Sequence, residues 1–191
     1  MKAPKGSQTE KNLLLLFALE SQDRNRYSYF ASQAKKDGFV QISAFFEETA
    51  NHVKEHAKRL FKLFGGGEVE FTVCFPATGA GSTLENLKSA GDQETSKHSQ
   101  LYPRCAQEAR QEGFPEIALV LEALALTKKV HAKRFLDLAA NLEQRRVFQR
   151  EEVVTWRCRN CGFVSDGQQA PISCAACTHP QAHFELFMEN Y

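Results

Sequence analysis

Four cysteines in two closely spaced pairs carry the clearest chemistry in this 191-residue chain. Cys158-Arg159-Asn160-Cys161-Gly162 is followed, after twelve intervening residues, by Cys174-Ala175-Ala176-Cys177. Two such C-x-x-C knuckles converge as a tetrahedral thiolate set for a single Zn²⁺ or a single iron. Zinc there would staple a fold, whereas iron would also carry an electron, and the spacing leaves both open. Gly162 removes a side chain where backbone N–H groups turn toward sulfur, an arrangement that stabilises thiolate charge and tunes a redox metal. A redox disulfide is a poorer reading, because two paired knuckles exceed what a thioredoxin-like motif needs. His179 and His183 are surplus to a complete four-cysteine set. Cys74 and Cys105 stand apart and read as small buried hydrophobes.

A second constellation lies upstream. Glu20, His56, Glu94 and His131 each interrupt an otherwise apolar seam. A buried carboxylate needs a partner, and two Glu with two His converging from four helices form a plausible metal site of the bundle type. His98, one turn after Glu94, is a further candidate. Arg24 suits an ion pair with a buried carboxylate. Tyr27 and Tyr102 read first as amphipathic core packing. His52, with Asn51 and Lys54 around it, reads as part of a solvated edge, and Lys35-Lys36 and Lys58-Arg59 read as solvated faces.

The elements that must position these groups are long helices. Ser7-x-x-Glu10 and Ser82-x-x-Glu85 are capping boxes, and Gly38 suits the left-handed position after a helix. A second helix runs from about Phe39 to Phe64 and stops at Gly65-Gly66-Gly67. Residues 65–81, with Pro76, Gly79 and Gly81, form a crossover loop. The third helix runs to Gly113 and must kink or lose bonding at Pro103. The fourth starts at Pro115 and ends near Glu143. Apolar steps of three and four mark all of them as core-facing. Four helices with one long crossover imply a ferritin-like four-helix bundle over residues 1–146. Residues 147–191 form a small metal domain, with short strands at Arg146-Val147-Phe148 and Val153-Val154-Thr155-Trp156. So few residues cannot bury enough apolar area alone and depend on the metal.

Composition narrows the classes. Hydrophobic residues at 42% and charged residues at 25% are ordinary for a globular protein. A formal charge of +1 gives no footprint for nucleic acid or an anionic membrane. The longest apolar run, from Leu13 to Leu19, is too short to span a bilayer. No signal peptide is visible at Met1-Lys2-Ala3-Pro4-Lys5-Gly6, so a cytoplasmic location with reduced thiols is expected.

The chain resembles rubrerythrin along its whole length. The resemblance rests on Lys5-Gly6-Ser7, Thr9 to Asn12, Glu20-Ser21-Gln22 and Arg24 to Tyr27. It continues through Ala34 to Phe39, Glu55 to Phe61 and Trp156 to Gly162. It implies a di-iron bundle followed by a rubredoxin-like domain, with Glu20, His56, Glu94 and His131 as bundle ligands and iron on the four cysteines. It implies peroxidase activity on hydrogen peroxide, fed by an electron-donating reductase or rubredoxin, with Tyr27 as a relay. It also implies a head-to-tail homodimer, which sets one subunit's cysteine site near the other's bundle.

The chain departs from that pattern at the positions that would bridge two irons. The family's Glu-x-x-His on the second and fourth helices becomes Val53 with His56 and Lys128 with His131, and a third carboxylate position holds Lys97. Two adjacent cations need bridging negative charge. Lys128 and Lys97 are therefore expected to replace iron as counter-charges for Glu20 and Glu94. The intermediate arrangement is one metal held by Glu20, Glu94, His56 and His131 with Lys128 turned aside. Three functions follow: a peroxidase if the bundle loads iron, a non-enzymatic electron carrier if it does not, and a zinc-ribbon interaction module, which the lack of a basic surface disfavours.

Overall fold

The computed structural model describes Ala3 and residues 5–189. The outer limits expected for the two parts, and Met1, Lys2 and Pro4 of the N-terminus read for a signal, lie outside those residues. Ser7 opens the first helix, α1 (Gln8–Lys36), where its hydroxyl accepts the Glu10 N–H at 3.0 Å. The Glu10 carboxylate in turn accepts the Gly6 N–H at 2.8 Å. Gly38, at φ 86°, turns the chain into α2 (Val40–Phe61) with a conformation that costs a β-carbon residue strain. The crossover that follows contains no helix or strand up to Ser82, which caps α3 (Thr83–Ser96) through a complete capping box with Glu85. Cys74 lies exposed in this crossover rather than buried, because the segment brings no apolar layer to cover it. Cys105 is buried.

Pro103 acts through the turn before it. Residues Lys97–Leu101 form a π-helical turn, and the Tyr102 N–H reaches back to the Lys97 carbonyl. The wider turn inserts a residue ahead of the ring that cannot donate an N–H, and α4 (Tyr102–Gln111) continues on the same axis. After Gly113, α5 (Pro115–Glu143) returns along α3 and α4. The result is a ferritin-like bundle of two helical hairpins, α1 with α2 and α3–α4 with α5. Gly91 permits the close α3–α5 approach: a Cβ there would lie 2.6 Å from Leu136 Cδ2. Among the described residues no helix is long and apolar enough to cross a membrane.

The bundle core is two apolar clusters rather than one. One gathers Leu13, Leu16, Leu60, Tyr102 and Leu121. The other gathers Tyr27, Phe46, Val53, Leu87 and Phe135. Between them in sequence, on α1, α2, α3 with its π turn, and α5, come the polar residues Glu20, Asp23, His56, Glu94, Lys97, Lys128 and His131. This is a polar layer inside a hydrophobic column.

The C-terminal part is a three-stranded antiparallel sheet in the order β2-β1-β3, with β1 Gln149–Cys158, β2 Val164–Gln169 and β3 Phe184–Leu186. Arg146-Val147-Phe148 is not a strand. The Arg145 backbone turns at φ 56°, and Phe148 instead stacks on Phe39 of the bundle with ring centroids 6.1 Å apart. Trp156 fills the small core and donates its indole N–H to the Gly167 carbonyl at 2.9 Å.

Because the Gly91 pocket is filled by Leu136, Gly91→Ala should lower stability by roughly 1–3 kcal/mol through overpacking. Urea unfolding followed by circular dichroism measures this. The exposed Gly79→Ala, with no atom near its Cβ direction, serves as the neutral reference.

Candidate functional site

The four cysteines meet at one end of the sheet. Cys158 ends β1, Cys161 follows in the turn, and Cys174 and Cys177 come from the loop before β3. Their sulfurs all lie within 4.8 Å of one another, with Cys158 and Cys177 at 3.8 Å and Cys161 and Cys174 at 3.6 Å. Four sulfurs around one ion at about 2.3 Å stand about 3.8 Å apart, so the spacing fits a single tetrahedral metal.

Each knuckle closes the same way. Gly162 at φ 80° and Thr178 at φ 58° donate their N–H groups to the Cys158 and Cys174 carbonyls, both at 2.9 Å. That turn aims the Phe163 N–H at the Cys161 sulfur and the His179 N–H at the Cys177 sulfur. Cys177 is drawn down to about 6, first by the His179 N–H. Cys161 is lowered by the Phe163 N–H but raised more by its thiol neighbours and burial, ending at about 12. Four thiols this close cannot all ionise unless a cation joins them.

In the bundle, the structure brings Glu20, His56, Glu94 and His131 together and adds Asp23, Lys97 and Lys128. Lys128 lies between the two glutamates, its Nζ 2.7 Å from Glu20 Oε2 and 3.5 Å from Glu94 Oε2. Lys97 pairs with Asp23 and lies 3.5 Å from Glu94 Oε1. Around these pairs runs a near-twofold pattern. Glu20 accepts from Tyr102 Oη at 2.8 Å and His56 Nδ1 at 3.1 Å. Glu94 accepts from Tyr27 Oη at 3.0 Å and His131 Nδ1 at 3.1 Å. Tyr27 and Tyr102 thus pack in the core and also cap the carboxylates.

Burial would raise both glutamates, but Lys128 and the other donors reverse it. Glu20 is held at about 2, and Glu94 well below the ordinary carboxylate range. Burial likewise opposes the Lys97 charge, yet Asp23, Glu94 and Glu20 hold its ammonium protonated beyond the usual lysine range. Burial and then the adjacent glutamates push both tyrosines far above theirs, so both are O–H donors.

Several expectations need correction. His98 does not join the layer; the π turn rotates it so that Nδ1 faces the Ala125 carbonyl at 3.0 Å. Arg24 is exposed and bonds Asn25 at 3.3 Å. Arg26, 3.8 Å from Asp23, takes the inner position instead. Asp23 and Lys97 form an ion pair that seam reading missed, although acidic and basic residues on adjoining seams were its signal. His52 is half-exposed, but it also turns Nδ1 to within 3.2 Å of His131 Nε2.

This geometry suits the four sulfurs to a metal but not the bundle to a metal pair. Val53 is buried in the apolar cluster, and the Lys128 and Lys97 ammonium groups are paired with the layer's carboxylates. Removing one member of a buried pair strands the other, at a cost of roughly 3–5 kcal/mol. Lys128→Met should therefore destabilise the bundle by that order at neutral pH, and Glu20→Gln with Lys128→Met should recover part of the loss. The Glu20 pKa is depressed in the fold, so its stabilisation is full above about pH 4.5 and is lost as pH falls toward about 2. Urea midpoints measured from pH 7 to 3 should show a shallower acid limb in the double variant.

The comparisons with known proteins agree with both halves. The rubrerythrin family model matches residues 11–154, and the model described as rubrerythrin, rubredoxin-like domain, matches residues 156–185. A rubrerythrin from Nitratidesulfovibrio vulgaris is 53% identical over 191 residues, covering all of both chains. One from Porphyromonas gingivalis is 50% identical, covering all of this chain and 95% of its own. The solved structure of fully reduced, all-ferrous nigerythrin superimposes with a TM-score of 0.65 at 28% identity, covering 97% of this chain and 89% of that one. A ferritin-like bundle joined to a rubredoxin-like four-cysteine domain, with family matches across both, places this chain in the rubrerythrin family of non-haem iron proteins.

Proposed function

We propose that the chain is a one-electron carrier built on the rubrerythrin scaffold, with one iron on its four cysteines and lysine ammonium groups in place of bundle metals. The observation that carries this reading is Lys128 Nζ, fully buried and 2.7 Å from Glu20 on the line toward Glu94. An ammonium there repels a divalent ion and satisfies the oxygens that would bind it.

Bound iron supplies a one-electron ferrous–ferric couple at the sulfurs. The chain's own groups do the rest. Cys158, Cys161, Cys174 and Cys177 hold the ion, and the Phe163 and His179 N–H groups spread thiolate charge and so raise the potential. The strands that fix Cys158 and the buried Trp156 limit ligand movement on oxidation. Cys161 is exposed, which gives a partner a short approach to one sulfur. The donor proposed is a reductase or a small rubredoxin-type protein. A head-to-tail homodimer in the cytoplasm is the proposed setting.

Metal analysis of purified protein tests this reading. One iron per chain, an intense red ferric spectrum and negligible hydrogen peroxide turnover with a supplied reductase are expected. Three irons per chain with turnover would instead establish a di-iron peroxidase using Glu20, His56, Glu94 and His131, and a colourless zinc protein would remove the redox role. A bundle variant carrying Val53→Glu, Lys97→Glu and Lys128→Glu, with Asp23→Ala to remove the orphaned charge, should gain up to two irons per chain.

A further inference from the structure

His52 and His56 stand one turn apart on α2, an i,i+4 pair that projects from one helix face. The His131 ring of α5 faces both, with centroids 5.4 Å from His52 and 5.9 Å from His56. The three imidazoles, with Thr127 and Val130, line one open cleft of about 370 Å³.

The tautomers of the two inner rings follow from their partners. Glu20 and Glu94 are ionised and only accept hydrogen bonds, so Nδ1 of His56 and of His131 each carries the proton donated at 3.1 Å. In the neutral rings Nε2 then holds a lone pair, on the side turned away from the carboxylates. A carboxylate behind Nδ1–H both orients an imidazole and strengthens Nε2 as a metal ligand. His52 Nδ1 is 3.2 Å from His131 Nε2. Two imidazole nitrogens on one tetrahedral ion stand about 3.3 Å apart. At that spacing His52 Nδ1–H donates to His131 Nε2, and an ion taking both nitrogens replaces this proton, which passes to Nε2 of His52 in the other neutral tautomer.

We propose that His52, His56 and His131 form an outer site for one borderline divalent cation such as Zn²⁺, with a fourth position open to water. The site lies on the solvent side of the polar layer and uses the opposite ring nitrogens from those facing Glu20 and Glu94. Lys128 therefore does not obstruct it. Arg134 also borders the cleft, but its charge is taken up by Glu48 at 2.7 Å. Among the described residues only the four sulfurs form a group of three or more ligand atoms already within 4.8 Å of one another. The imidazole site therefore closes around its ion, and His56, whose ring centroid stands 5.9 Å from that of His131, is the ring that must approach the His52–His131 pair.

The test is isothermal titration of Zn²⁺ into protein whose cysteines already carry iron, with the visible spectrum monitored. One additional ion per chain is expected, with the iron colour unchanged. His52→Ala and His56→Ala should each weaken binding at least about tenfold. His98→Ala, whose ring faces the Ala125 carbonyl, should leave it unaltered. His52→Gln, on an exposed position, serves if His56→Ala fails to fold. No additional ion, Zn²⁺ uptake only with loss of the iron colour, or binding abolished by Glu20→Gln but indifferent to His52 substitution would each overturn the proposal.

Discussion

Two carboxylates buried at the centre of a helical bundle must be given positive charge, and the rest of the bundle is arranged around how that is done. Glu20 and Glu94 are fully buried, and stranding either would cost more than most single contacts contribute. A metal can meet the demand from solution, or the chain can meet it covalently. Here it is met covalently. Three carboxylates, Glu20, Asp23 and Glu94, face the two ammonium groups of Lys97 and Lys128. The Arg26 guanidinium, 3.8 Å from Asp23, supplies a third positive charge, and Tyr27, Tyr102, His56 and His131 donate to the two glutamates. The carboxylate–imidazole pairing orients the same histidines whose outer nitrogens face the cleft, so the inner network and the outer site are mechanically one structure.

Much of this was legible in the residues. The capping serines, the glycines Gly38 and Gly113 after α1 and α4, and the C-x-x-C pairs are local signals, each with one dominant physical cause, and the elements fall where they point. The seam through α3 and α4 was read with its phase off. Periodic reading assumes 3.6 residues per turn, and the π turn before Pro103 adds a residue, so His98 leaves the layer and Tyr102 enters it. The error on α1 has a different cause. Arg24 and Asp23 are adjacent, and only the tertiary position of Lys97 decides which of them is turned inward. Phe148 has the β propensity of a strand residue, yet its ring joins the sheet to Phe39. Two expected carboxylates set against two lysines gave a neutral layer; the third, Asp23, became visible only when the fold brought it to Lys97.

The two halves of the chain meet the cost of their buried ionisable groups in different ways. The bundle pairs the carboxylates of its polar layer with its own ammonium groups and buries two apolar clusters. The sheet has a small core around Trp156, and its four thiols oppose one another until a cation joins them. The Phe39–Phe148 stack and the approach of Ala182 to Gly38 fasten this part to the end of the α1–α2 hairpin.

The same coupling explains why a bundle of this kind cannot drift between ammonium and metal one residue at a time. Replacing Lys97 alone by Glu would leave Asp23 facing a like charge in a buried site. Replacing Lys128 alone would leave Glu20 and Glu94 without their shared cation. Restoring Glu at position 53 alone would place a carboxylate among Phe46, Leu87 and Phe135 with no cation assigned to it. Each single step therefore costs several kcal/mol before any ion can repay it. Lys128, Lys97, Asp23 and Val53 behave as one unit, and only their joint exchange carries the layer from covalent neutralisation to coordination.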